Sequence, residues 1–108
     1  MSVQRLTAGD YVLDLARKEL RIAGELVVLT SFEYLTLECL MSNSRQKISK
    51  QQLLAQLHRD KDEGEGDPNL VEVMVSRLRK KLMQYSADSP IVTIRYQGYM
   101  FTLPSYRA

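Results

Sequence analysis

The stretch NLVEVMVSRLRKKLMQ, residues 69–84, limits what the rest of the chain can be. Written as a helix, it places Val71, Val75, Leu78 and Leu82 at i, i+4, i+7 and i+11, a single apolar stripe about two residues wide. Asn69, Val73, Ser76, Arg77 and Lys80 fall on the other side, with Arg79 and Lys81 flanking and Glu72 the only carboxylate. A helix this asymmetric needs a core to lie on, so the remaining residues must supply one. Its outward side is basic, and an α-helix of that width enters the major groove of DNA, where such side chains meet phosphates and base edges. The spacing therefore predicts a recognition helix.

A chain of 108 residues with 44% hydrophobic residues supports one domain spanning 1–108, with little room left for a deep catalytic cleft. A net charge of +2 does not nominate a nucleic-acid partner, but the distribution of charge does. Asp60, Asp62, Glu63, Glu65 and Asp67 crowd around Lys61, whereas Arg77, Arg79, Lys80, Lys81, Arg95 and Arg107 face only Glu72 and Asp88 beyond Pro68. An acidic loop thus adjoins a basic C-terminal third. Cys39 is the only cysteine, which rules out an intrachain disulfide and makes a reducing, cytoplasmic setting the expectation. No apolar run approaches a membrane span and no signal-peptide core follows the N-terminus.

Enzyme chemistry finds no support. There is one histidine, His58, and no paired metal-ligand motif. Gly64-Glu65-Gly66 lacks both the preceding strand and the Lys-Ser/Thr of a phosphate loop, and the acidic run does not match a calcium-binding loop. No catalytic residue, metal or cofactor is expected.

Residues 1–29 predict four short strands: Val3 to Leu6, Tyr11 to Leu15, a run through Leu20 and Ile22, and Leu26 to Leu29. Residues 30–85 predict three helices. Thr30 with Glu33, and Ser49 with Gln52, have the spacing of capping boxes. The first helix would bury Phe32, Leu35, Leu37, Leu40 and Met41, the second Leu53, Leu54 and Leu57. Asp67 is placed to cap the third, with Pro68 in its first turn. Residues 91–104 predict a hairpin turning at Gln97-Gly98 and closed by Pro104. The expected fold is α+β: a winged helix-turn-helix with an N-terminal four-stranded antiparallel sheet, three helices and a C-terminal β-hairpin wing.

With this order in place, the chain resembles the winged-helix DNA-binding (effector) domain of OmpR/PhoB-type response regulators. The resemblance is carried by Leu29-Thr30 with Glu33, Ser49-Lys50 with Leu53, the run Arg77-Leu78-Arg79-Lys80-Lys81-Leu82, and Thr93-Ile94-Arg95 followed by Gly98-Tyr99. It covers essentially the whole chain. It implies that Arg77 reads a base, which suits a bidentate contact to guanine, and that Arg95 at the wing enters a minor groove. Lys50, Ser76, Asn69 and Lys80 are the candidates for phosphates, and Val73 for a thymine methyl. Relatives often carry arginine where this chain has Asn69 and Ser76, so part of the backbone grip would pass to neighbouring elements. Met74 stands where relatives often carry histidine and offers either a groove contact or packing. Tyr96 replaces the glycine that normally follows the wing arginine. Because tyrosine resists positive φ, the tip should either differ in geometry or rely on Gly98. Arg79 and Lys81 point sideways and suit structural pairing.

The resemblance also implies contact between the loop Asp60 to Asp67 and RNA polymerase, head-to-tail pairing on direct repeats, and an N-terminal receiver domain that is absent from this chain. The leading expectation is sequence-specific binding of double-stranded DNA for transcription regulation in a bacterial two-component system. Two alternatives stay open: a winged-helix protein-interaction module, favoured by the modest net charge, and the DNA-binding domain of a membrane-tethered regulator lacking a receiver.

Overall fold

The computed structural model describes residues 4–58 and 69–107. The acidic loop, the Asp67 cap and Pro68 lie outside the described residues. In chain order the elements are β1 (Arg5–Ala8), β2 (Tyr11–Asp14), β3 (Glu19–Ile22), β4 (Glu25–Val27), α1 (Ser31–Ser42), α2 (Lys50–Leu57), α3 (Leu70–Leu82), β5 (Ile91–Ile94), β6 (Gly98–Phe101) and β7 (Tyr106–Arg107).

Alternation shapes the first sheet. Leu6, Ala8, Tyr11, Leu13, Leu20, Ile22 and Val27 point inward and are buried, while the residues between them face out. The β3–β4 connection is the two residues Ala23 and Gly24, both at positive φ (52° and 86°), as the primed turns of tight hairpins require. Between β2 and β3, the Asp14 carboxylate accepts from the backbone N–H groups of Ala16 and Arg17, fixing the bend.

The four expected strands form as an antiparallel meander, with β1 beginning at Arg5 and running on to Ala8. A fifth strand, β7, pairs with β1 beyond Pro104, so the sheet order is β4-β3-β2-β1-β7. The chain therefore returns to its own N-terminal sheet after leaving the wing.

Both capping boxes form as the spacing predicts. Glu33 N donates to Thr30 Oγ1 (3.2 Å) and Thr30 N to Glu33 Oε1 (2.9 Å). Gln52 N donates to Ser49 Oγ (3.1 Å) and Ser49 N to Gln52 Oε1 (2.8 Å). In α1, Tyr34, Leu37, Leu40 and Met41 are buried, whereas Phe32 and Leu35 reach the core only in part. In α2, Leu53 and Leu57 are buried and Leu54 partly so. The core is shared by the sheet, all three helices and the wing, to which Ile91, Tyr99 and Phe101 contribute. Phe101 meets Tyr11 edge-to-face at 6.0 Å, tying wing to sheet.

Candidate nucleic-acid interface

All four residues of the expected stripe on α3 (Val71, Val75, Leu78 and Leu82) are buried. Met74 joins them at 6% exposure, which corrects the expectation that it could face a groove. It lies three residues after Val71 and four before Leu78, on the edge of the docking face, and its flexible thioether fills core space there. Asn69 is the N-cap residue, so it stands at the mouth of the helix and not on its barrel. Val73, Ser76, Arg77 and Lys80 remain exposed along one side.

The basic cluster divides sharply. Arg79 Nε donates to Ile91 O (3.1 Å) and its Nη2 to Thr93 Oγ1 (2.7 Å), and the guanidinium lies 5.7 Å from the Tyr99 ring centroid. It fastens α3 to the wing. Lys81 Nζ donates to Glu33 Oε1 (2.6 Å) and Val28 O (2.9 Å), fastening α3 to the start of α1. Burial pushes the Glu33 carboxyl up, but the Lys81 hydrogen bond, the Thr30 N–H and the Lys81 charge outweigh it and hold the group below its ordinary value. Among the described residues the ion pairs are Lys81–Glu33 and Lys50–Glu72, so no carboxylate holds Arg77 or Lys80.

Lys50 is not presented alone at the start of α2. Its Nζ lies 2.5 Å from Glu72 Oε2, in the first turn of α3, and both side chains are about half exposed. The hydrogen bond and charge of Glu72 raise the Lys50 ammonium above its usual value, and Lys50 lowers Glu72 in return. A pair this exposed is held loosely and competes with solvent and other anions.

The wing is pinned to the helix-turn-helix by backbone. Ile48 N donates to Tyr99 O (2.8 Å) and Tyr99 N to Ile48 O (2.9 Å), so the residue before the α2 cap bridges to β6. Gly98 makes the approach possible: at φ +138°, a Cβ there would stand 2.0 Å from Ile48 O. Lys47 Nζ donates to Gln97 Oε1 at 2.6 Å on the same flank. A cleft of about 390 Å³ opens between the start of α2 and the wing, edged by Lys50, Gln51, Thr93, Arg95 and Tyr96.

At the tip, Gln97 N donates to Ile94 O (2.8 Å), closing a four-residue turn. Tyr96 takes φ +64° in its third position, which corrects the expectation that tyrosine would avoid that region. The hydrogen-bonded turn imposes the conformation there, as in a type II turn, at a cost on the order of 1 kcal/mol for a bulky residue. Its side chain is 96% exposed, and the Arg95 guanidinium lies 5.6 Å from its ring centroid. The partners Glu72, Thr93 and Gln97 are not visible in the sequence because each joins residues 14 to 50 positions apart, beyond any local pattern.

Residues 24–101 match the family model described as transcriptional regulatory protein, C terminal. The chain is similar to the two-component response regulator PhoP of Pseudomonas aeruginosa, at 44% identity over 97 residues covering 90% of this chain and 42% of the relative. It is 36% identical to the transcriptional regulatory protein PhoP of Escherichia coli over 103 residues, covering 95% of this chain and 45% of that one. It thus spans less than half the length of these relatives. Among solved structures, the DNA-binding domain of Klebsiella pneumoniae RstA in complex with the RstA box superposes with a TM-score of 0.76 at 28% identity, covering 91% of this chain and 96% of that one.

Proposed function

The chain belongs to the transcriptional regulatory protein C-terminal family, and from that premise we propose how its winged-helix DNA-binding domain engages a duplex. The exposed side of α3 enters the major groove. Arg77 pairs with a guanine edge, Val73 meets a thymine methyl, and Ser76, Lys80 and Asn69 hold phosphates. Arg95 reaches the adjacent minor groove from the wing, with Tyr96 beside it. Lys50 exchanges its exposed bond to Glu72 for a phosphate at the start of α2. One observation carries this reading: Arg79 and Lys81 are spent on fastening α3, while Arg77 and Lys80 stand exposed beside them with no carboxylate among the described residues.

The parent protein is a cytoplasmic two-component response regulator with an N-terminal receiver domain. Its effector domains pair head-to-tail on direct repeats, and the loop Asp60 to Asp67, repelled by phosphates, turns toward RNA polymerase. Similarity to the two PhoP proteins and the clustered carboxylates support these statements. Selection of bound sequences from random duplex DNA tests the core of the proposal and reports site, spacing and orientation together. Arg77→Ala should cost about 1–3 kcal/mol and relax preference at one base position, whereas Lys80→Ala should weaken every duplex alike. Equal losses on selected and random duplex for both variants would remove Arg77 from base reading.

A further inference from the structure

We infer that Tyr96 is a positioning residue: its ring biases the presentation of the Arg95 guanidinium and so makes the wing selective for narrow, A·T-rich minor groove. This rests on the duplex-binding reading above and adds a specificity determinant to it. Three observations converge on the ring. Tyr96 sits at φ +64°, a conformation glycine would adopt without strain, so the side chain is what the position gains. With 96% of its surface exposed, the ring contributes nothing to the core. Its ring lies beside the guanidinium of Arg95, 5.6 Å from its centroid.

An arginine on an exposed hairpin tip ordinarily samples many rotamers, and that freedom is lost when it enters a groove. A guanidinium drawn toward an aromatic face, as Arg95 is at 5.6 Å from the Tyr96 centroid, favours some of those rotamers beforehand, and its N–H edges stay available to a ligand. Those edges match adenine N3 and thymine O2, the acceptors on the floor of the minor groove. Guanine places an amino group on that floor and disfavours a narrow groove. A guanidinium biased toward the floor discriminates between these floors, whereas one without that bias goes more often to the phosphates. The cleft behind the tip leaves the pair clear of the rest of the domain on that side.

The test uses a duplex obtained by selection, together with a copy in which the A·T pairs under the wing are replaced by G·C. The readout is the ratio of the two affinities. Tyr96→Phe should keep the ratio, since the π face remains. Tyr96→Leu, apolar but without that face, should lower it about fivefold. Tyr96→Gly should do the same while unfolding no more readily than the parent, which separates the effect from damage to the turn. In an Arg95→Ala background, all three changes should leave the ratio where Arg95→Ala alone puts it. A full ratio in Tyr96→Leu would overturn the inference, because the ring would then be acting as an apolar wedge. Losses that simply add to that of Arg95→Ala would overturn it equally. Failure of the parent protein to bind any duplex at low salt would sink the duplex-binding reading itself, and this inference with it.

Discussion

Replacing Glu33 separates two jobs that one carboxylate performs. Its Oε1 accepts from Thr30 N, closing the cap of α1, and from Lys81 Nζ, tying down the C-terminal end of α3. Glutamine keeps an acceptor at the same reach, so Glu33→Gln preserves the cap and removes only the charge. Breaking a fully buried pair costs about 3–5 kcal/mol because a charge is stranded. Here the stranded charge would be Lys81, whose side chain is 33% exposed and keeps its bond to Val28 O. The expected loss is therefore smaller, about 1–2 kcal/mol. Glu33→Ala also gives up the cap, adding about 1 kcal/mol. Lys81→Met strands the carboxylate instead, and with 3% of that side chain exposed the loss should reach about 3 kcal/mol at neutral pH.

Urea unfolding followed by circular dichroism from pH 7 to pH 3 distinguishes these cases. Glu33 has a folded pKa below its unfolded value, so its stabilisation is complete above the ordinary carboxylate range and is lost as pH falls through the folded pKa. The gap between the parent and Glu33→Gln should therefore close on acidification. The deficit of Lys81→Met should shrink as well, because burial without a cation raises the Glu33 pKa and lets the group take up a proton earlier. A Glu33→Gln protein as stable as the parent at pH 7, or a gap that does not change with pH, would refute the assignment of the charge to fold stability.

Other substitutions probe the remaining joints. Gly98→Ala would force a Cβ into the Ile48 carbonyl at φ +138°, so the bridge between wing and α2 should open at a cost of about 3 kcal/mol or more, read as a fall in melting temperature. Arg79→Lys keeps the charge but loses the two-pronged contact to Ile91 O and Thr93 and the stacking on Tyr99, which should cost about 1–2 kcal/mol in the same assay. Burial and the nearby carboxylates of Glu38 and Asp14 push Tyr34 up to about 12. Its neutral form is favoured in the folded state, so stability should fall as pH rises from the ordinary tyrosine value of about 10 toward 12. Tyr34→Phe should flatten that alkaline limb in unfolding experiments.

The parts of this fold that were legible in the sequence are those set by neighbours in the chain. The α3 stripe, both capping boxes and the order of the four-strand meander follow from spacing alone. The helical features formed where the pattern places them, while β1 runs on to Ala8 and β4 covers Glu25–Val27, starting ahead of the stretch expected for it. The strand β7 was missed because two residues after Pro104 carry no alternation to read. Met74 was ambiguous because it lies at the margin of the apolar stripe, where a shift of a fraction of a turn decides between groove and core. Tyr96 defied its own backbone preference because a closed turn overrode it. For the candidate site, a basic helix face was visible, but the division of labour on it was not. Which cations are fastened depends on Glu33, Ile91 and Thr93, residues brought to α3 only by the fold.

That division fixes a number for DNA binding. Counting every basic group on the presumed face (Lys50, Arg77, Arg79, Lys80, Lys81 and Arg95) would give six phosphate contacts at most, and a log–log salt slope of about 5. Arg79 is held by two oxygens and a ring, and Lys81 by a carboxylate and a carbonyl, so neither is free to move to DNA without loosening α3. Arg77 is assigned to a base. Arg95 is assigned to the floor of the minor groove, so the phosphate contacts left are those of Lys50 and Lys80, which lowers the expected slope to about 2 for one domain on one site. Lys80→Ala should reduce that slope by about 1, whereas Arg79→Met should leave it unchanged while lowering the melting temperature. A slope near 5, or one that falls with Arg79→Met, would mean that the fastened cations do reach the duplex and that α3 is reset when it binds.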